Sequence, residues 1–421
     1  MQAAQGVALR NNRERGIGEV AELAESAVVR RASTGDATRA HAPAVDDRAA
    51  LTPLGDIPKP QWRALSERAV EPNGYYLPDW ELAVNASARD RVGATALTAW
   101  GDRSELIGLM PVVSMRQAYK IPLPALVSAD PYGSLSTMPL DRDFAEDAAV
   151  RLMREARRSG AHALILRDMS LDGAAMKSFT HVLQRDGLRP IVLQSHVRAC
   201  LDASRDADEL LQDALGSKKL KELRRQRNRL ADQGAIRFEV AREPDDVAAA
   251  LDTFLKLEAS GWKGQRGTAL GQHAGDATFV RRATVALAET GQCEIVTLCA
   301  GDAPVASAIV LRHQDRAFYF KLGVDERFSK FSPGVQLTLD LTRHLCADPS
   351  IRLVDSTANP GHPMIDPIWR GRLAIGDVLI PLRRHDPVIA LIQAALGLRK
   401  AMREPARHLV RLVRKHREKS S

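Results

Sequence analysis

Residues 327–336 carry the clearest chemical signal in the chain, because they combine a predicted helix start with a nearby cation. Ser332 is a good N-cap, Pro333 suits the first helical position, and Gly334 leaves the outward-pointing backbone amides unobstructed. A helix N-terminus of this kind attracts a phosphate or pyrophosphate, and Lys330 adds a positive charge beside it. The segment therefore predicts an anion site, with a well-capped structural helix as the alternative.

Two ionisable residues mark the end of a later predicted strand, residues 351–355, and the loop that follows it. Asp355 ends the strand, at the edge where ligands gather in open α/β sheets, and His362 lies seven residues further on. An aspartate and a histidine in contact can serve as orienter and general base. The pair is therefore a candidate for catalysis. The alternatives are that Asp355 caps the following turn and that His362 supports the loop.

A second cluster of candidate site residues lies at 258–266. Glu258 and Trp262 are four residues apart, so they share a face if the segment is one helix. Trp262 can line an acceptor pocket, and Lys263 with Arg266 can hold a phosphate or carboxylate. The cluster predicts a substrate-binding surface, and the alternative is a core tryptophan flanked by solvent-exposed cations.

Several common site types find no support in the sequence. No G-x-S-x-G, H-E-x-x-H or Walker motif occurs, which argues against serine hydrolase, zincin and P-loop chemistry. The four cysteines form no C-x-x-C pair and have no histidine at zinc-finger spacing, so we expect no metal site and a reducing compartment. Gly16 and Gly18 imitate a dinucleotide fingerprint, but no predicted strand precedes them.

The elements that must position these residues occur in the same order twice. Each copy has a hairpin, a glycine-containing loop, a helix and a short apolar strand that ends in an aspartate. The hairpins are residues 93–113 and 292–312, and the final strands are residues 163–168 and 351–355. This order predicts a duplicated α/β unit, with a chance recurrence of common elements as the alternative.

Positive charge is concentrated in two predicted helices. The net charge is +8, and residues 383–421 hold eleven Lys or Arg against three acids, so the rest of the chain is nearly neutral. This tail predicts an amphipathic cationic helix, broken or kinked at Pro405, that lies on an anionic membrane or covers the protein's own surface. Residues 208–234 predict a helix with Gly234 as its C-cap, whose seven cations within residues 217–229 form either a solvated face or a contact for an anionic group.

Residues 1–55 are polar and have few aromatics, so we predict that they are mostly disordered, with a short helix around residues 17–30. Order is expected to begin near Trp62. No run of eighteen apolar residues occurs, and the N-terminus lacks an apolar signal region. We therefore expect a cytoplasmic protein without a transmembrane helix, with its basic tail as a candidate contact to the inner face of the membrane.

Three strings carry a family resemblance: FLKLEASGWKGQRGTAL (254–270), YFKLGVDERFSKFSPGVQL (319–337) and DSTANPGHPMIDPIWRGR (355–372). In this order, around the second hairpin, they closely resemble the CelD-like, BioF-type acetyltransferase family of the GNAT superfamily. The resemblance implies an α/β fold of two tandem GNAT-like lobes, with mixed central sheets flanked by helices, and a distant relation to Fem-type aminoacyl transferases.

The composition and the resemblance together divide the chain into four parts. They are a disordered extension (1–55), a degenerate GNAT-like lobe (56–200), a GNAT acyltransferase lobe (201–385) and a basic amphipathic helical tail (386–421). The first lobe is expected to be a structural partner, because Gly133 in its corresponding loop has no basic residue nearby.

The implied activity is transfer of an acyl group from acyl-CoA to an amine or hydroxyl of a sugar or cell-envelope precursor, since members of the family are linked with exopolysaccharide or cellulose production. In the GNAT arrangement the donor thioester lies beside residues 318–322, where Lys321 can anchor an anionic acceptor. The residues that the resemblance assigns to the donor are Lys330, Phe331, Ser332, Pro333, Gly334 and Val335. Their loop has one glycine where the usual motif has two.

Two other functions remain open. One is an aminoacyl transferase that uses charged tRNA, in which the cations of residues 217–229 contact RNA phosphates and binding falls steeply with salt. The other is a non-catalytic scaffold for polysaccharide synthesis, whose mark would be a cleft filled by side chains. Nucleic acid is expected as a partner only in the first of these.

Overall fold

The computed structural model describes residues 51–89, 93–129 and 132–417, without the side chains of Trp262, Lys263 and residues 403–417. Most of the predicted disordered extension, the helix at 17–30 and the Gly16–Gly18 motif lie outside these residues. Within the described part, the strands join in one 12-stranded mixed sheet, and helices pack on both of its faces. No helix among the described residues is long and apolar enough to cross a membrane.

The strands are β1 (Thr52–Pro53), β2 (Thr95–Trp100), β3 (Leu106–Ser114), β4 (Ala125–Ser128), β5 (Ala163–Ser170), β6 (Ile191–Asp202), β7 (Ile236–Ala241), β8 (Cys293–Ala300), β9 (Ala303–His313), β10 (Arg316–Val324), β11 (Leu353–Asp355) and β12 (Gly371–Pro381). The α-helices are α1 (Lys59–Glu67), α2 (Pro78–Ser87), α3 (Met115–Tyr119), α4 (Ala145–Arg158), α5 (Ala174–Arg185), α6 (Ala207–Ala231), α7 (Pro244–Ser260), α8 (Trp262–Gln265), α9 (Ala274–Ala288), α10 (Pro333–Cys346) and α11 (Pro387–Arg417). Short 3-10 helices occur at Leu54–Asp56, Gly74–Tyr76, Leu270–Gln272 and Glu326–Phe331.

The two predicted hairpins begin two matching series of paired strands. In the first half, β2, β3, β4 and β5 pair antiparallel, antiparallel and parallel in that order. In the second half, β8, β9, β10 and β11 pair in the same pattern. The order of elements read from the sequence is therefore repeated in space as two tandem lobes.

The two halves exchange their last strands. The sheet order is β1-β2-β3-β4-β5-β12-β6-β11-β10-β9-β8-β7, so β12 lies beside β5 of the first half while β6 lies beside β11 of the second. β6 and β12 also pair with each other over most of their lengths, from Gly371↔Cys200 to Leu379↔Ile191. Each half is thus completed by a strand from the other. The predicted domain boundaries at residues 56, 201 and 386 stay predictions.

The helices form a layer on each face of the sheet because each buries an apolar face against it. On α4 the buried positions recur at helical spacing, and they pack with α5 against one face of the first half of the sheet. α1 and α11 cover the opposite face. In the second half, α7 and α9 cover one face together with α2, while α6 and α10 cover the other. β8 is buried at all of its positions because helices flank it on both sides.

The prediction that Glu258 and Trp262 share one helix face is wrong. α7 ends at Ser260, Gly261 has extended backbone, and Trp262 begins the separate helix α8. The chain turns back so tightly here that a Cβ on Gly264 would lie 1.8 Å from the carbonyl oxygen of Ala259. A glycine-dependent turn therefore replaces the continuous helix.

Two other helix ends also differ from the predictions. Pro405 does not end α11, which continues to Arg417. The C-cap of α6 is Asp232 rather than Gly234. Gly234 instead has a φ of 146°. It lies so close to the turn between β8 and β9 that a Cβ would be 2.5 Å from the amide nitrogen of Gly301.

Candidate active site

Strand β10 lies between β9 and β11 in the second half of the sheet, and it stops pairing with β11 partway along its length. β10 pairs in parallel with β11 from Arg316 to Phe318, where the register ends. On its other side, the register with β9 shifts between Tyr319 and Lys321, which marks a β-bulge. A bulge bends a strand and increases its twist, and bulges are over-represented next to active sites. The C-terminal half of β10 therefore diverges from β11 and opens a cleft between them.

A cavity of about 670 Å³ occupies this cleft. Its walls come from the C-terminal half of β10, the 3-10 helix that follows it, the first turn of α10, and the loop after β11. Most of the exposed lining is apolar, with polar groups at a few positions. This volume and this lining are typical of sites that bind small molecules or cofactors.

The first turn of α10 forms one wall of the cavity. Pro333 is its first residue, as predicted, and the first amides of a helix have no intrahelical acceptor and carry partial positive charge. Ser332 precedes the helix but makes no side-chain cap, because its backbone is left-handed with a φ of 54°. Gly334 lets this turn approach β10, since a Cβ there would lie 3.0 Å from Leu322 Cδ2.

The structure separates the six predicted donor-binding residues into two groups. Ser332, Pro333, Gly334 and Val335 line the cavity. Lys330 and Phe331 do not, because the Phe331 ring is buried in the core beneath α6 and α10, and Lys330 Nζ lies 4.8 Å from the centre of that ring. The candidate anion site therefore consists of the N-terminus of α10 without Lys330.

Asp355, the predicted catalytic carboxylate, holds the loop after β11 in place. Asp355 is fully buried, its Oδ2 is 2.5 Å from Arg198 Nη2, and its Oδ1 accepts a hydrogen bond from the Thr357 amide. That bond holds Thr357 at a positive φ of 50°, and the Thr357 hydroxyl donates to the Tyr319 carbonyl at 2.6 Å. Asp355 does not line the cavity but fixes a residue that does.

His362 lines the cavity and contacts its own loop. Its Nδ1 accepts hydrogen bonds from the backbone amides of Met364 and Ile365, at 3.3 and 3.4 Å. An accepting Nδ1 carries no proton, so the neutral ring holds its proton on Nε2. His362 and Asp355 therefore contact different partners, and His362 presents a hydrogen-bond donor rather than a free base.

Two of the predicted substrate-binding residues do meet. Lys321 lines the cavity, and its Nζ lies 3.6 Å from Oε1 of the buried Glu258. The other oxygen of Glu258 accepts the Leu270 amide at 2.8 Å. β10 packs tightly on α7 here, since a Cβ on Gly323 would be 2.9 Å from the Glu258 amide nitrogen. Arg266 is exposed, and the side chains of Trp262 and Lys263 lie outside the described part of the chain.

Several polar residues of the cavity were not predicted from the sequence, and Glu326 is the one among them best suited to accept a proton. It is exposed in the 3-10 helix after β10, and Gly261 approaches its carboxylate closely. The neighbouring Asp325 also lines the cavity, but Arg327 holds it with three side-chain hydrogen bonds that lower its pKa. The signal available in the sequence was a pair of acids directly after a strand.

Comparisons with known proteins find a similarity for the segment that contains most of this cavity. Residues 217–360 match the family model of an acetyltransferase (GNAT) domain, a segment that runs from α6 to the loop after β11 and includes β10 and α10. A search of curated proteins finds no match to the sequence.

Solved structures show likeness over both halves. The structure of FemX covers 80% of this chain and 98% of its own, with a TM-score of 0.53 and 14% identity. The C-terminal domain of a provisionally assigned lysylphosphatidylglycerol synthetase from Agrobacterium fabrum covers 80% of this chain and 96% of its own, with a TM-score of 0.50 and 14% identity.

At this identity the likeness is one of fold. The chain has a GNAT-like mixed α/β fold with two tandem lobes in one sheet, and the segment that matches the GNAT domain model contains most of the residues that line the cavity. The narrower CelD-like, BioF-type relationship stays a prediction.

Proposed function

We propose that this protein is a cytoplasmic acyltransferase that takes an acyl group from acyl-CoA and transfers it to an amine or hydroxyl of a sugar or cell-envelope precursor, such as one for exopolysaccharide or cellulose. The observation that supports this most directly is the meeting of two features in one cavity. The bulged half of β10 provides an edge along which an extended donor can lie, and the α10 N-terminus faces the same space. Backbone amides at a helix start suit the donor phosphates.

The chemistry requires a proton acceptor and a stabiliser of negative charge. The acceptor nitrogen or oxygen bonds to the thioester carbonyl carbon, the carbon–sulfur bond breaks, and the proton leaves the nucleophile for a base. Glu326 is our candidate base, since it is an exposed carboxylate of the cavity. His362 donates from Nε2 to the developing oxyanion or to the leaving thiolate. Asp355 acts indirectly, by positioning Thr357.

The test is thermal stabilisation of the full chain by acetyl-CoA and by CoA. A ligand at a hundredfold excess over its Kd stabilises the native state by about 2.7 kcal/mol, which raises the melting temperature measurably. Ala358→Trp fills the cavity from its loop and should abolish the shift. The matched control is Ala231→Trp, at the exposed end of α6, which should retain it. If neither CoA species raises the melting temperature at millimolar concentration, the proposal is abandoned.

The second candidate is aminoacyl transfer from charged tRNA, and it rests on α6. Lys218, Lys219, Lys221, Arg224 and Arg225 are exposed along this helix. Stabilisation by aminoacyl-tRNA but not by CoA, with a steep dependence on salt, would favour it. If the protein is a non-catalytic scaffold, neither CoA nor aminoacyl-tRNA should stabilise it. The open volume of the cavity favours a bound ligand instead.

A further inference from the structure

The C-terminal helix α11 exposes a stripe of large apolar residues. Leu391, Leu398 and Met402 are 55%, 64% and 68% exposed and lie at positions i, i+7 and i+11, which share one helix face. In the sequence the same spacing continues at Leu409 and Val413. Six large apolar residues are strongly exposed in the described part of the chain, and half of them lie on this helix. Such a concentration marks an interaction surface rather than scattered exposure.

A neighbouring face of α11 holds the helix against the protein. Ile389 and Ile392 are buried, and Val388 and Leu396 pack on the same core. The Arg399 guanidinium lies 4.6 Å from the centre of the Tyr119 ring. The first part of the helix is thus anchored, so the apolar stripe is presented outward in a fixed direction.

The net charge of the C-terminal segment indicates what kind of surface covers the stripe. Residues 383–421 hold eleven Lys or Arg against three acids. Two copies of so cationic a helix would repel each other if they packed together, whereas an anionic surface would attract each of them. A stripe of exposed apolar residues and a large excess of positive charge therefore occur in the same C-terminal segment.

We propose that α11 binds in the plane of a bilayer that contains anionic lipids. Leu391, Leu398 and Met402 insert among the acyl chains, and the net positive charge of residues 383–421 attracts the helix to the anionic headgroups. A helix with a separate apolar stripe and many cations binds an interface in this way, with an affinity set by buried apolar area and by attraction to anionic lipid. The proposal does not depend on the acyl donor, because the cavity at β10 uses none of these residues.

The experiment is co-sedimentation of the full chain with vesicles of phosphatidylcholine alone and of an equimolar mixture of phosphatidylcholine and phosphatidylglycerol. The protein should bind the mixed vesicles, and added salt should weaken binding. The joint variant Leu391→Gln, Leu398→Gln, Met402→Gln should bind at least about tenfold more weakly. Lys400→Gln removes one positive charge from the segment and should lower the affinity for mixed vesicles by up to about fivefold. The matched control, Phe144→Gln with Val197→Gln, changes equally exposed apolar residues elsewhere and should bind like the parent.

Three outcomes would overturn the proposal. One is equal binding, or no binding, to the two kinds of vesicle. Another is a triple variant with an unchanged melting temperature that binds as tightly as the parent. The third is light scattering that shows a dimer which the triple variant dissociates, in the absence of any lipid affinity, because a second copy would then cover the stripe. If the triple variant is unstable, Leu398→Gln alone replaces it, with a smaller expected loss of binding.

Discussion

At the scale of single residues, His313 couples the stability of the fold to pH. Its Nδ1 accepts the Asn73 amide at 2.8 Å, and its Nε2 lies 2.9 Å from the Ser66 carbonyl oxygen, so the buried ring is held in its neutral form. Burial lowers its pKa to about 4, against the opposing effect of the backbone hydrogen bonds. The stability that this histidine contributes is present above its ordinary pKa near 6.5 and is lost as pH falls toward 4.

The loss should amount to about 3 kcal/mol of unfolding free energy between pH 7 and pH 4, because each unit of pKa difference is worth about 1.4 kcal/mol. Denaturant titrations across this range measure it. His313→Gln removes the titrating group, so the variant should lose less stability than the parent over the same interval. His181→Gln, at a 60% exposed side chain, should follow the parent. An undiminished pH dependence in His313→Gln would assign the effect to other groups.

Site residues whose role is set locally could be predicted from the sequence, whereas those set by distant partners could not. Pro333 and Gly334 begin α10 as predicted, because helix starts have a local signature. Asp355 was predicted to act as a catalytic group, but Arg198 on β6 pairs with it across 157 positions of chain. No local pattern reveals such a partner. The left-handed backbone of Ser332 likewise depends on the packing of α10 against β10.

Among the elements, the packing of α6 along α10 brings one cation of α6 level with the candidate anion site. Gln336 donates to the Leu223 carbonyl and Arg227 pairs with Asp340, so the two helices run side by side in the same direction. One turn earlier on α6, Lys219 comes level with the start of α10. Its Nζ lies 3.0 Å from Glu222 Oε2 in an exposed ion pair that a bound phosphate can replace. Lys219→Gln should therefore weaken CoA binding, by about twofold to fivefold for one exposed cation near a phosphate.

Isothermal titration at low salt measures this change. Arg229→Gln removes an exposed cation from the far end of the same helix, so it serves as the matched control and should leave the CoA affinity unchanged. Equal losses in the two variants would point to a general effect of net charge. In that case the register between α6 and α10 would have no part in donor binding.

At the scale of the whole molecule, the duplicated order of elements could be predicted, but the exchange of strands could not. Hairpins and helices recur in the sequence because their periodicity is local, whereas β12 pairs with β5 across about two hundred residues. Strand β12 thus lies between β5 and β6, which are both strands of the first half. The consequence is energetic, because neither half has a complete sheet without the other.

The exchanged strands should make the two halves unfold together. Phe179, buried on α5, belongs to the core of the first half, and Leu345, buried on α10, belongs to that of the second. Phe179→Ala should destabilise the fold by about 3–5 kcal/mol and Leu345→Ala by about 2–5 kcal/mol. Because opening either half exposes β6 and β12, each variant should accelerate amide exchange in β5 and in β9 by the same factor, measured by mass spectrometry. Phe144→Ala, at an exposed position, should change neither strand. Faster exchange confined to the mutated half would mean that the halves open independently despite the shared centre of the sheet.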